Sequence, residues 1–198
     1  MEWILSSIIT AMPVIIGPII NVAILSNSKV RGVFKTPIDF GKNFIDNKRI
    51  FGDNKTWKGL FLYILLCICT ASIWGIICKY IPTIGNRNWF YRNYENTILY
   101  NIVIGALLGL TYSLFELPNS FLKRRCNIEP GKSSEVNGKK RIIFTIIDHF
   151  DSGFGTMLVV CYFGNLTAIE YVSTLFISAF VHYVIVKILY NLKLKQAM

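Results

Sequence analysis

Asp148 and Asp151, in the segment IIDHFDSG (146–153), stand inside an otherwise apolar run. An ionisable side chain at membrane depth is costly and marks a functional site by default. The i, i+3 spacing puts both carboxylates on one face of a helix. A helix that enters the membrane near Arg141 and rises about 1.5 Å per residue carries Asp148 about 10 Å in and Asp151 about 15 Å. A third carboxylate, Glu116, opens the segment ELPNSFLKRR (116–125), ahead of Lys123, Arg124 and Arg125. Pro118 is placed to end or bend that helix. Three carboxylates brought together repel and take up protons unless a cation neutralises them. Oxygen-only donors suit a hard ion, so the residue types predict Mg2+ on Asp148, Asp151 and Glu116. The alternative is an Asp pair bonded to Lys or Arg for structure alone.

A second constellation is DFGKNFIDNKRIFGDNKTWKG (39–59), where Asp39, Asp46 and Asp53 alternate with Lys42, Lys48, Arg49, Lys55 and Lys58, punctuated by Gly41, Gly52 and Gly59. Glycines let a backbone turn sharply and approach a ligand, and amides in such turns cradle phosphate oxygens. Arg49 and Lys55 would add positive charge. The spacing is not that of a Walker loop. Two readings stand, a structured phosphate-binding loop and a loop that anchors on lipid headgroups. Carboxylates with a metal, neighbouring cations and a glycine-studded loop suit phosphoryl or nucleotidyl transfer. A site at this depth suggests a lipid meeting a water-soluble substrate.

The elements that must position these residues follow from composition. The chain has 198 residues, 53% hydrophobic and 16% charged. A bilayer core of about 30 Å needs about 20 apolar residues as helix. The sequence predicts an all-α polytopic membrane protein, one domain over 1–198, with five spans at Trp3–Leu25, Trp57–Ile81, Thr97–Phe115, Ile142–Phe163 and Leu166–Leu189. MEWIL lacks the cationic start of a signal peptide, so the first run reads as a retained helix. Pro13, Gly17 and Pro18 predict that it is kinked or broken. Lys and Arg concentrate in 26–58, 123–141 and 187–198, eighteen against three on the alternate side (Lys79, Arg87, Arg92). By the positive-inside rule the N-terminus is outside and the C-terminus cytoplasmic. Cytoplasmic loops fall at about 26–56 and 122–141, and a site there faces the cytoplasm of a cell membrane.

The net charge of +10 lies in these membrane-flanking segments, as insertion alone arranges it, so nucleic acid is not an expected partner. The five cysteines show neither a disulfide frame nor a zinc pattern. Gly105 and Gly109 form G-x-x-x-G, which can serve close packing within one chain or between protomers of a homo-oligomer. Trp89, Phe90, Tyr91 and Tyr94 read as interface anchors, residues 126–140 as a mobile loop, and His149 and His182 as structural.

The stretch PIDFGKNFIDNKRIFGDNKTWKG, then SFLKRRCNIEPG, then DHFD resembles the CDP-archaeol synthase family of membrane cytidylyltransferases, distant relatives of phosphatidate cytidylyltransferase. The resemblance implies a five-helix enzyme that joins CTP to a phosphorylated membrane lipid with Mg2+, giving a CDP-lipid and pyrophosphate. By position it implies that Asp148 and Asp151 are the D-x-x-D metal pair and that Lys123 and Arg124 act in catalysis. Arg49, Asp53, Lys55 and Arg125 fall on the nucleotide side. Ser120 is implied as a hydrogen-bonding partner, since the lipid phosphate is itself the nucleophile. Two departures stand out: Phe115 and Glu116 replace a Gly-Asp four residues before the Ser, and His149 stands where relatives have Gln or Arg. The rival is a small ion carrier using Asp148 and Asp151 as a cation relay. A carrier wants ionisable groups near mid-membrane with access from both sides, whereas these lie toward one face.

Overall fold

The computed structural model describes residues 2–26, 36–130 and 138–191. Five long helices form it: α1 (Glu2–Ser26), α2 (Trp57–Tyr80), α3 (Ile98–Arg125), α4 (Lys139–Gly164) and α5 (Ala168–Asn191). Each is long and apolar enough to cross a membrane. Many large apolar side chains face outward, among them Phe61, Leu65, Ile73, Phe176 and Phe180, where hydrocarbon, not water, is the matching solvent. Consecutive helices pack on one another and α5 returns to α1, so the bundle closes into a ring.

α1 is continuous across Pro13 and Pro18, against the expectation of a possible break. Pro13 has no N–H to give the Ile9 carbonyl four residues back. That carbonyl instead accepts from Trp74 Nε1 of α2 at 2.9 Å. The Pro13 carbonyl accepts from Thr70 Oγ1 at 3.2 Å. A neighbouring helix thus satisfies part of what proline removes.

α3 also differs from its expected end at Phe115, since it runs through Pro118 to Arg125. The proline costs a single intrahelical bond, while the turns beyond it bury Asn119, Ser120, Lys123 and Arg124. Packing therefore outweighs the break. Gly105 and Gly109 serve a contact within the chain: a Cβ at Gly105 would stand 2.6 Å from the Cys67 carbonyl oxygen, and one at Gly109 2.6 Å from the Ile64 Cα. On the opposite face of α3, a Cβ at Gly155 of α4 would lie 2.6 Å from the Phe115 ring. Two close approaches hold α3 tightly between α2 and α4.

At the end with few basic residues, a 3-10 turn over Trp89–Tyr91 tucks inward. Trp89 and Phe90 are buried with Ile104, Leu108, Met157 and Val160, so they form core and not an interface belt. The Trp89 amide donates to Thr10 Oγ1 at 2.9 Å, and the Tyr100 hydroxyl to the Phe90 carbonyl at 2.9 Å. These bonds draw the turn in. Tyr94 alone of the four aromatics is well exposed. In the segment expected to be a mobile loop, 131–137 lie outside the described residues.

Candidate active site

The described part of the 36–56 loop folds around one carboxylate. Asp39 accepts from the amides of Gly41, Phe51 and Gly52 at 3.0, 2.9 and 2.9 Å, and from Arg49 Nη2 at 2.8 Å. Burial opposes its ionisation, but the Arg49 guanidinium and the three amides outweigh it and hold the carboxyl at about 2. Gly52 has φ +107°, and a Cβ there would stand 2.7 Å from Pro130 Cγ, so both backbone conformation and space call for glycine. Asp46 binds Arg125 Nη2 and Nε at 2.9 and 3.0 Å, which holds its carboxyl below the usual range. Asp53, largely exposed, pairs with Arg49 Nη1 at 2.7 Å. The acids that positive-inside sorting leaves unexplained thus build the loop.

This reassigns Arg125. Besides Asp46, its guanidinium donates to the carbonyls of Lys48, Arg49, Ile50 and Phe121, and it lies 3.8 Å from the Phe121 ring centroid. With its donors engaged it rivets the loop to α3 and has none left for a phosphate. Arg124, the neighbouring residue, has the opposite character: it is 7% exposed, and its Nε and Nη1 have no hydrogen-bond partner. Gly52 passes close to it. Its two nitrogens without hydrogen bonds are free to donate to an anion, beside the carboxylates of Asp39, Asp53 and Glu129 whose charges reach it.

Inside the bundle, α3 presents Tyr112, Glu116, Asn119 and Lys123, spaced 4, 3 and 4 and hence on one helical face. Asn119 Nδ2 donates to Asp148 Oδ1 at 2.5 Å and to Asp151 Oδ2 at 2.7 Å. Lys123 Nζ donates to both Asp148 oxygens, 2.7 Å for Oδ2. The Ser152 amide donates to Asp151 Oδ1 at 2.6 Å. Asp148, Asp151 and Lys123 are therefore together as expected, with Asn119 as the unforeseen hub. Its signal in the sequence is the register with Glu116 and Lys123.

Glu116, expected as a metal ligand, is paired here with the Lys55 ammonium. Among the described residues no three acidic, histidine or cysteine side chains group to hold a metal. The remaining donors do fit a hard ion: carboxylate oxygens of Asp148 and Asp151 converge on one point, now taken by an amide nitrogen, and the buried Asn119 Oδ1 beside them has no partner. The Lys55–Glu116 pair lines a cavity of about 440 Å3, between α1, the loop, α2 and α3, with Asp53, Thr56, Tyr63 and Tyr112. The Asn21 Oδ1 on its wall is buried without a hydrogen-bond partner. His149 and His182, expected to be structural, bridge α4 and α5 with their Nδ1 atoms 3.4 Å apart.

The model of the CarS-like family, CDP-archaeol synthase, matches residues 4–198. A CDP-archaeol synthase of Pyrococcus furiosus is 36% identical over 96 residues, 48% of this chain and 49% of that protein. The matched stretch thus spans about half of that relative's length. A CDP-archaeol synthase of Pyrobaculum islandicum is 28% identical over 175 residues, 88% of this chain and 87% of that protein. A solved structure described as an intramembrane enzyme for archaeal membrane lipids biosynthesis superposes with a TM-score of 0.57 at 20% identity, covering 89% of this chain and 90% of that one, and so shares the fold. With the family model matched along nearly its whole length, the chain belongs to the CarS-like CDP-archaeol synthase family.

Proposed function

We propose that the protein transfers CMP from CTP to the phosphate of a membrane lipid, giving a CDP-activated lipid and pyrophosphate. The observation that carries this reading is a buried Arg124 guanidinium with two nitrogens lacking hydrogen bonds, on the same end of α3 as Lys123 and Asn119, one and five residues before it, which bind Asp148 and Asp151 of α4. Family membership supports it, since the relatives named above are CDP-archaeol synthases.

In this mechanism a lipid phosphate oxygen attacks the α-phosphorus of CTP, the bond from that phosphorus to the bridging oxygen breaks, and the electron pair leaves with pyrophosphate. Arg124 binds the phosphate tail, and its charge offsets what develops on the leaving group. Lys123 holds Asp148 and stands ready to follow a phosphate oxygen. Lys55 and Asp53 border the large cavity, where the loop closes over the nucleotide. Mg2+, held by Asp148 and Asp151 with the Asn119 carbonyl, would neutralise phosphate charge. No side-chain nucleophile is required. A diether lipid phosphate and phosphatidic acid are the expected acceptors, and the reaction faces the cytoplasm.

The test is purified protein in lipid nanodiscs given CTP labelled in its α-phosphate, Mg2+ and a panel of phosphorylated lipids. Label should enter the lipid phase, and the same lipids without their phosphate should be inert. Failure of every phosphorylated lipid, together with an Asp148-dependent cation flux in liposomes, would replace the enzyme by a carrier.

A further inference from the structure

A groove of about 280 Å3 lies between α4 and α5, lined by Arg141, Ile142, Thr145, Ile146, His149 and Tyr183. Its walls divide by chemistry. Arg141, Thr145 and His149 recur every four residues and make a polar line along α4. Ile142 and Ile146 beside them are more than half exposed, on a surface that faces lipid. The polar line starts at the basic end of the bundle, where Lys139 and Lys140 precede Arg141 and Lys187 of α5 stands 6.0 Å from the Tyr183 ring. Among the described residues Arg141 has no ion-pair partner.

The groove also shares a wall with its neighbours. His149 is shared with a smaller cavity of about 60 Å3 between α1, α4 and α5, which also touches Tyr112 and Ser152. Tyr112 and Pro18 in turn are shared between that cavity and the 440 Å3 one that holds Lys55 and Glu116. Three separate cavities thus lie side by side, sharing His149, Pro18 and Tyr112 as walls, between the bilayer face and the loop. An apolar slot with a guanidinium at its headgroup end matches one kind of occupant, an amphiphile with hydrocarbon in the slot and a compact anion on the Arg.

We propose that the α4–α5 groove is the docking site of the phosphorylated membrane lipid, with its phosphate monoester on Arg141 and its chains against Ile142, Ile146 and Tyr183. The assignment rests on the cytidylyltransferase reading for what happens next, but docking itself is measured without turnover. A monoester phosphate carries up to two charges and offers three free oxygens, more than the single charge of a phosphodiester headgroup, so the groove should prefer it over bulk anionic phospholipid.

The experiment uses the full chain in nanodiscs and diazirine-bearing lipids, as phosphate monoesters on diacyl and diether cores and as a phosphatidylglycerol control. After illumination the monoester probes should mark peptides spanning 141–149 and 183–187, about fivefold above the control. Arg141→Gln should remove that preference and raise the KM for lipid phosphate about tenfold, leaving the KM for CTP and the kcat at saturating lipid unchanged. Ile146→Trp, which fills the slot and keeps Arg141, should cut labelling of the same peptides. Equal labelling by the phosphatidylglycerol probe, labelling on other helices, or Arg141→Gln behaving as wild type would overturn the site. Preferential groove labelling without CMP transfer to any lipid would leave the docking site standing and sink the enzymatic reading instead.

Discussion

Adjacent arginines at the end of α3 show how little residue type alone decides. Arg124 and Arg125 read alike in the sequence, yet one is buried with unpaired donors and the other is saturated by Asp46 and four backbone carbonyls. Arg124→Ala should therefore raise the KM for CTP at least about tenfold with little loss of fold, because it removes a charged contact to an anion. Arg125→Ala should lower thermal stability and affect both substrates together, since it frees the loop from α3. Equal effects of the two changes on CTP binding would contradict the division. Asp148→Asn and Asp151→Asn should each cost at least about tenfold in kcat, with activity dependent on a divalent cation titrated back after chelation; full activity in a folded variant would make the pair structural. The acid pair, Lys123 and the glycine-studded loop were legible because ionisable residues in apolar runs are conspicuous. Asn119 was not, because an amide carries no charge to mark it.

The loop gives a pH expectation of its own. Asp39 has its folded value lowered from 3.8 to about 2, so its contribution is present above the unfolded value and disappears as pH falls through the folded one. The shift corresponds to about 2 kcal/mol. The loop should hold its shape down to about pH 4 and open between there and pH 2, followed by protease nicking near Phe51 or by a fluorophore on Asn47. Asp39→Asn should already be open at neutral pH. A variant with wild-type protease resistance at pH 7 would show that the four donors around Asp39 do not organise the segment.

Among the helices, the spans were legible to within a few residues where an apolar run met a polar boundary, as in α2 and α5. The misreadings have one cause, namely that proline and aromatic signals are local while the packing that overrules them is not. Pro118 reads as a stop, but the ten residues of α3 from Glu116 on carry the site's contacts. Pro13 reads as a break, but Trp74 supplies the missing donor from another helix. Trp74→Phe should thus destabilise the fold by roughly 1–2 kcal/mol, the cost of leaving the Ile9 carbonyl unsatisfied. Restoring the amide with Pro13→Ala in the same chain should recover most of that loss, a coupling that thermal unfolding in detergent can read as a double-mutant cycle. Additive losses would mean that the indole bond does not compensate for the proline.

For the whole molecule, ring closure by α5 against α1 could not be read from the sequence, since neither helix carries a charge pattern that names its neighbour. What could be read is that chemistry and positive charge share an end: the loop, the α3 terminus and the start of α4 all meet there. By the positive-inside rule, the sequence's bias of eighteen basic residues in 26–58, 123–141 and 187–198 against three elsewhere is expected to direct that end to the cytoplasm on insertion. It therefore predicts that a nucleotide site built from the same residues opens to the cytoplasm, where CTP is made. Reporter fusions after Asn191 should read cytoplasmic, and fusions near Asn88 should read external. Reversing the bias, by Lys-to-Gln changes at Lys139 and Lys140 with Lys or Arg added around Asn86, should populate the inverted topology and lower activity in cells in proportion, while the detergent-purified protein keeps its kcat. This separates topology from catalysis, because the same fold would be intact but turned away from its nucleotide. An external reading for the wild-type C-terminus would place Arg124 and the loop where no CTP reaches them, and the proposed reaction would fail at the level of the whole molecule, however well the residues fit.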